Sequence, residues 1–359
     1  MLRRPTLIDQ IECEIKQRIS SGLWRAQLPA ERSMCVELRV GRNSLRAALA
    51  RLKQEGLLMI EPGVGIKIRH TLGGVASHAQ ETVALLSPVS LEKLRPHQAL
   101  WIDELRGLLA EREIIMRFHS ESRCFRPGAA KAIAKFVKLH SASCWVLVHS
   151  TLTMQDWFQS SGTPCVIAGS CHEGFDLPYV DLNHHATCRH AAITFLRLGH
   201  RRIAFLTRLA ENAGDKQSER GFMEGVAEYE DRQAVGTVLH LNNDKRHSTR
   251  LIGRLMAGND APTAILVNQS YHYLTVFSIL MQMGKSIPSN VSMICRDHDT
   301  FLSFLEPTPA YYGDDAKLFS KKMIRVLTSV MAGAASSNTQ VNLLPELIMG
   351  SSIAPLAPV

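Results

Sequence analysis

No apolar run in this sequence is long enough to cross a bilayer, and its first residues lack the apolar core of an export signal. MLRRPTLIDQIECEIKQ carries two early arginines, but a polar, periodic segment follows them. The expectation is a cytoplasmic protein with no membrane partner. None of the eight cysteines forms a Cys-x-x-Cys pair. Most sit in apolar stretches such as SCWVLV and TPCVIAG, as reduced, buried thiols do. There is no phosphate-binding loop, no nucleophile elbow and no zinc-hydrolase motif, so no enzyme activity, cofactor or metal is expected. No internal repeat or low-complexity tract is evident.

What is present is an ordinary globular composition with an uneven charge. Its 359 residues, 45% apolar and 21% charged, are enough for two or three folding units with large cores. The formal net charge is +8. Residues 1–70 hold 13 Lys/Arg against 7 Asp/Glu, so most of the excess sits there. A small basic module ahead of a nearly neutral body implies that only the first segment meets a polyanion.

In the first module, Ile8, Ile11, Ile15 and Ile19 fall on one helical face. Pro29 fits the first turn of a second helix, with Glu31 near its positive end. A third helix is predicted from about Arg42 to Gln54, with Leu45, Leu49 and Leu52 inward and Gly56 as its stop. LLMIEPGVGIKIRH then alternates like a hairpin tipped by PGVG. Three helices and a two-stranded wing make a winged helix-turn-helix. In that motif the first turn of the third helix enters the major groove, and here the turn holds Arg42, Asn43, Ser44 and Arg46. Arg can fork onto guanine and Asn can pair with adenine. Arg39 and Arg51 lie further round, facing phosphates or water. The plain alternative is a solvated basic helix in a protein-binding module; the wing and the charge bias weigh against it.

LPAERSMCVELRVGRNSLRAALARLKQEGLLMIEPGVGIKI resembles the GntR family of bacterial transcription regulators over nearly all of residues 6–70. The resemblance implies DNA contacts from Arg32, Arg42, Asn43, Ser44 and Arg46, and from the wing tip at Gly63 and Gly65. Gly41 stands where the family has Ser, a weaker N-cap. Ile66 and Lys67 replace the usual Thr and aromatic, and Lys67 adds a candidate phosphate contact.

HTLGGVASHAQE reads as a linker, taken as residues 71–81. Strand and helix patterns then alternate, which predicts parallel sheets covered by helices on both faces, with ligands at the carboxyl ends of the strands. Asp181, GHRRIAFL, RGF, PTAI, MGKSIPSNVSMI and LLPELI follow in an order similar to the LacI/GalR effector domain, which has the type I periplasmic-binding-protein fold. That resemblance covers about residues 82–355. It implies two lobes, about 82–181 with 313–333 and about 182–312 with 334–359, joined by crossovers near Asp181, Tyr312 and Gly333. A GntR winged helix fused to such a body is the architecture of arabinose-repressor-like regulators.

By the same resemblance Arg220, Asn268 and Asp297 carry polar groups into the cleft, with Ser87 as a further candidate. A cation, an amide and a carboxylate suit a sugar or another polyol. The alternative for each is a surface or interlobe salt bridge. Gln269, Arg296, His298 and Gly350 depart from the family pattern, and Arg296 is placed to pair with Asp297 and occupy the site. His184, His185, Cys188 and His190 have spacings able to gather a soft metal ion, but they open the helix after the first crossover, where polar caps are expected.

The expected function is a sequence-specific DNA-binding transcription regulator, a repressor, acting as a homodimer on a double-stranded operator. A small polar effector such as a sugar would control it. Two alternatives stand beside this. In one the body is only a dimerisation scaffold with a degenerate pocket; in the other it is a small-molecule enzyme, against which the missing motifs argue.

Overall fold

The computed structural model describes residues 7–20, 24, 27–38, 40–55, 57–61, 65–68, 81–209, 212–231, 233–242, 244–333 and 339–356. The chain divides into two compact units, residues 1–79 and 80–359. The expected linker, apart from Glu81, lies outside the described residues, as do Arg39, Gly56 and Gly63.

The first unit consists of α1 (Leu7–Ser20), α2 (Glu31–Glu37), α3 (Arg42–Gln54) and an antiparallel hairpin, β1 (Leu58–Glu61) with β2 (Gly65–Ile68). Ile11 and Ile15 of α1 bury against Met34 of α2 and Leu45, Leu49 and Leu52 of α3, with Trp24, Leu28 and Leu58 closing the core. Ile8 and Ile19 pack at its margin. Surface ion pairs tie the helices together. Arg46 Nε donates to Glu31 at 2.9 Å, and Arg51 meets Asp9 at 3.1 Å and Glu12 at 3.4 Å. Arg51, expected to face phosphate or water, is therefore turned towards α1. Pro29 precedes α2 rather than opening it, because Ala30 takes the N-cap position and the helix begins at Glu31. Gly41 caps α3 in an extended conformation without a side-chain bond.

The second unit holds two six-stranded sheets. In the first, β3 (Thr82–Ser87), β4 (Ile115–Ser120), β5 (Cys144–Val148), β6 (Cys165–Ala168), β7 (Tyr179–Leu182) and β13 (Gln340–Leu343) run parallel in the order β13-β7-β6-β5-β3-β4. The second contains β8 (Arg202–Arg208), β9 (Val235–Leu241), β10 (Ala264–Val267), β11 (Ser292–Cys295), β12 (Ala310–Gly313) and β14 (Glu346–Ile348). Its order is β14-β12-β11-β10-β8-β9, with β14 alone antiparallel.

Strands buried on both faces explain the near-continuous apolar runs in the sequence. Val83 and Leu85 enter the core beneath α4 (Pro96–Ala110) and α11 (Ala316–Met331), while Ala84 and Leu86 enter the core beneath α5 (Ala130–Leu139) and α6 (Leu152–Ser161). In the second sheet Ile203 and Phe205 face α7 (His184–Arg197) and α8 (Ala213–Ala227). Ala204 and Leu206 face α9 (Lys245–Leu255) and α10 (Ser270–Gln282).

The chain passes between lobes three times: at Asn183, between Gly313 and Ala316, and between Leu343 and Glu346. The third crossing therefore comes later than Gly333. β13 pairs with β7 from Gln340↔Tyr179 to Leu343↔Leu182 before Pro345 ends the run, and the chain then turns into β14. Pro345 has no N–H to offer a ladder, so one apolar stretch is split between two sheets.

The motif glycine of RGF has a packing role. A Cβ on Gly221 would lie 2.1 Å from the carbonyl oxygen of His185, and one on Gly225 would lie 2.7 Å from that of Arg189. These two positions on one face of α8 let its backbone approach α7. Gly253, inside α9, has nothing within 4 Å of an added Cβ. Gly221→Ala is therefore expected to destabilise the body by about 1–3 kcal/mol, as overpacking does. Gly253→Ala should be neutral or stabilising by up to about 1 kcal/mol through helix propensity. Urea melts should place the Gly221→Ala midpoint below that of wild type and the Gly253→Ala midpoint at or above it; equal midpoints in the two variants would refute the close-approach account.

Candidate functional site

Two surfaces carry the chemistry, one in each unit. In the first, α3 is oriented by Leu45, Leu49 and Leu52, which bury one face and leave Arg42, Asn43 and Arg46 exposed on the other. Ser44 is half-buried beside them, and Arg32 on α2 is exposed. Arg46 keeps one bond to Glu31, but its side chain is 64% exposed, so the pair is weakly held. Lys67 lies on β2 opposite Met59, and Gly65 opens that strand. Arginine forks and an amide on one helical turn can read base edges, while a wing lysine can neutralise a phosphate.

In the second unit a cleft runs between the lobes. Strand ends from both sheets supply it: His149 follows β5, Gly169 follows β6, Arg208 ends β8, Asn242 follows β9 and Arg296 follows β11. It has an outer chamber of about 870 Å³ and a small inner one of about 120 Å³.

The inner chamber is largely occupied by its own charges. Asp297 Oδ1 accepts from Arg296 Nε at 3.2 Å and Nη2 at 3.0 Å, and Oδ2 accepts from Arg95 Nη1 of the other lobe. Arg296, 7% exposed, also donates to Ser218 Oγ at 2.6 Å. Burial alone would raise the Asp297 carboxyl, but Arg296 and then Arg95 outweigh it and hold it at about 2. Arg208 pairs with Asp215 at 3.1 Å, and His97 with Asp314 at 3.1 Å. Burial, helped by Arg95 and Arg208, pushes His149 down to about 4, so it stays neutral at pH 7 beside Gln98 at 3.0 Å.

Of the four residues expected to bind a ligand, Asp297 alone lines this cleft. Ser87 is fully buried within β3, and its Oγ accepts from Val89 N–H at 3.2 Å. Asn268 lies one residue short of the wall. Its Nδ2 donates to Thr207 Oγ1 at 2.6 Å and Asp215 Oδ1 at 3.1 Å, and Gln269 lines the space instead. Arg220 lies two turns into α8, 67% exposed, on Glu224 at 2.8 Å and Glu173 at 3.6 Å. Its helical position, beside the glycine that packs on α7, turns it to the surface. Gly350, where the family has Arg, leaves no room for a side chain: its Cβ would sit 2.4 Å from the carbonyls of Thr308 and Pro309.

The cleft residues that sequence reasoning missed are Arg95, His149, Arg208 and Lys245. Each lies at or just past a strand end or at a helix start, and that position was the available signal. The four side chains of NHHATCRH go to different places. His184 faces Asp181 at 3.4 Å, His185 faces Glu224 at 2.6 Å, and His190 bonds the Tyr312 hydroxyl at 2.7 Å. Cys188 is fully buried in the core, and burial raises its thiol to about 12.

Comparisons with known proteins match the two units separately. Residues 7–68 match the family described as bacterial regulatory proteins, gntR family, and residues 192–353 match the periplasmic binding protein-like domain. The first unit thus matches a gntR-family model, and the second matches a periplasmic-binding-protein-like model over its later part. The gntR part is 42% identical over 64 residues to the HTH-type transcriptional repressor NanR of Klebsiella aerogenes, covering 17% of this chain and 25% of that protein. Over 159 residues the chain is 21% identical to the HTH-type transcriptional repressor PurR of Mannheimia succiniciproducens, covering 44% and 48%. The chain thus spans half or less of these two relatives' length. The fold of the second unit is similar to that of the transcription regulator CcpA of Lactococcus lactis: TM-score 0.64 at 16% identity, over 76% of this chain and 99% of that one.

The Asp297 network makes a pH prediction. Its folded value, about 2, lies below the ordinary 3.8, so the carboxylate stabilises the fold fully above the ordinary value. That contribution is lost as pH falls through the folded value. Asp297→Asn removes the titration and strands two guanidinium groups, at a cost of about 3 kcal/mol at pH 7. Urea midpoints at pH 7, 4 and 3 should show the wild-type advantage shrinking with acid. A constant gap would refute the assignment.

Proposed function

We propose that this chain is a bacterial sequence-specific DNA-binding transcription regulator, a repressor, controlled by a small polar molecule bound between the lobes of its LacI-like body. The observation that carries this reading is the exposed Arg42, Asn43 and Arg46 on the first turn of α3 in a gntR-family domain. Arg32, Ser44, Lys67 and the wing glycines Gly63 and Gly65 complete the DNA-facing set. The partner is a double-stranded operator, the working form a homodimer on a two-fold site, and the compartment the cytoplasm. Its chemistry is binding and conformational coupling. Among the described residues no helix is long and apolar enough to cross a membrane. Effector closure of the lobes would alter how two winged helices fit a two-fold operator.

One observation favours a second reading, in which the body is a dimerisation scaffold. Arg95, Arg296 and Asp297 satisfy one another inside the cleft without a ligand. Ligand-dependent release from operator DNA separates the two readings.

Arg42→Ala and Arg46→Ala should each weaken operator binding by about 1–3 kcal/mol, the loss expected for a forked base contact. Lys67→Ala should weaken operator and scrambled duplex alike and flatten the salt dependence. Titrations on both duplexes at several salt concentrations check this. Wild-type operator affinity in both Arg variants would remove α3 as the reading helix.

A further inference from the structure

Among the described residues the outer chamber of the cleft is lined by charge of one sign. Lys93 and Arg95 face it from one lobe, Arg208 and Lys245 from the other, and no carboxylate lines it among the described residues. The acidic groups of the cleft, Asp181, Asp215, Asp297 and Asp314, line the inner chamber, each with a cation or histidine partner. Arg95 and Arg208 are held by Asp297 and Asp215. Lys93 and Lys245 have no ion pair among the described residues. The inner chamber, at about 120 Å³, is both small and internally neutralised, which leaves the outer one as the open space for a ligand.

Backbone dipoles add to that field. Parallel strands leave the sheets at one edge, so the following helices begin there. The N-cap residues of α4, α6, α8 and α10 (Arg95, Thr151, Asn212 and Gln269) and the first residue of α9, Lys245, all line the outer chamber. Helix N-termini carry partial positive charge, which favours anions; Thr151 caps α6 through the Met154 N–H, and Asp244 caps α9 through that of Arg246. Two buried donors or acceptors at the chamber wall also lack partners. His272 is only 7% exposed and its Nδ1 is unsatisfied, and Arg208 Nε has no acceptor. Buried polar atoms of this kind normally find a partner.

We propose that the effector is an anion, a small molecule bearing a phosphate or carboxylate group that binds in the outer chamber between Lys93 of one lobe and Lys245 of the other. This rests on the reading of the cleft as a ligand site. It changes the ligand class from a neutral sugar to a charged metabolite. It also supplies a reason for closure. An anion touching both lobes binds the closed form more tightly, adding to the Arg95–Asp297 pair that already joins them.

The test uses the full chain and four probes at constant ionic strength: inorganic phosphate, glucose 6-phosphate, gluconate and glucose. A ligand that binds the native state alone raises the melting temperature saturably. The expected result is a rise with at least one anion and none with glucose. Glucose 6-phosphate against gluconate tells a phosphate group from a carboxylate. In Lys93→Gln and Lys245→Gln, neither of which breaks an ion pair among the described residues, the affinity should fall about tenfold or more, the loss of one charge-assisted contact. Any response arising in the basic winged helix persists unchanged in both variants. An anion response equal in wild type and both variants would overturn the proposal. A rise with glucose alone would overturn the charge assignment while leaving the cleft as a ligand site. Silence from all four probes, with operator binding intact, would count against the anion site and the ligand-controlled reading together.

Discussion

The polarity of parallel strands is the constraint on which the body depends. A parallel pair needs a crossover, so each strand delivers its carboxyl end to the same edge of the sheet and the next helix starts there. With two such sheets joined by three crossings, strand ends from both lobes converge on one cleft. That one fact fixes which residues can meet a ligand, and it brings several positive helix ends to one space. The charge of the outer chamber extends a field the backbone already creates.

Within that frame the inner chamber is filled by ion pairs of its own. Asp297 stands where a ligand-facing carboxylate is expected, but Arg296 beside it and Arg95 across the cleft take both its oxygens. Removing Asp297 would leave the buried Arg296 uncompensated, and removing Arg296 would leave Asp297 on the half-buried Arg95 alone. Gly350 fits the same picture. The backbone of Thr308 and Pro309 fills the space a longer side chain would need. An interlobe ion pair fills the inner chamber, and the larger open volume is that of the outer one.

Motif glycines and motif arginines also separate by physical role. Gly221 and Phe222 of RGF serve packing, the glycine by admitting the α7 backbone and the phenylalanine by filling the core under β8. Arg220 beside them is a surface residue on an ion pair with Glu224. A three-residue signature thus reports helix packing, and its charged member has no role in the cleft wall.

The sequence by itself determined the elements of the first unit among the described residues: α3 spans Arg42 to Gln54, as its leucine spacing requires, although α2 begins after Pro29. Local periodicity suffices there because the helices and hairpin are short and their core is shared by neighbours in the chain. It also determined the alternation of strands and helices in the body, and hence its parallel sheets. The tertiary structure decided what periodicity does not encode. Arg95 reaches Asp297 across 202 positions of sequence, and Lys93 shares a chamber with Lys245 only because two separate sheets present their edges to one cleft. It also decided that β13 closes the first sheet before β14 returns to the second, since Pro345 breaks the strand but the free edge of β7 determines where the first half pairs. Such placements depend on long-range geometry, whereas the residues that form each element depend on their neighbours. The helices and strands were therefore legible in advance, and the occupants of the cleft were not.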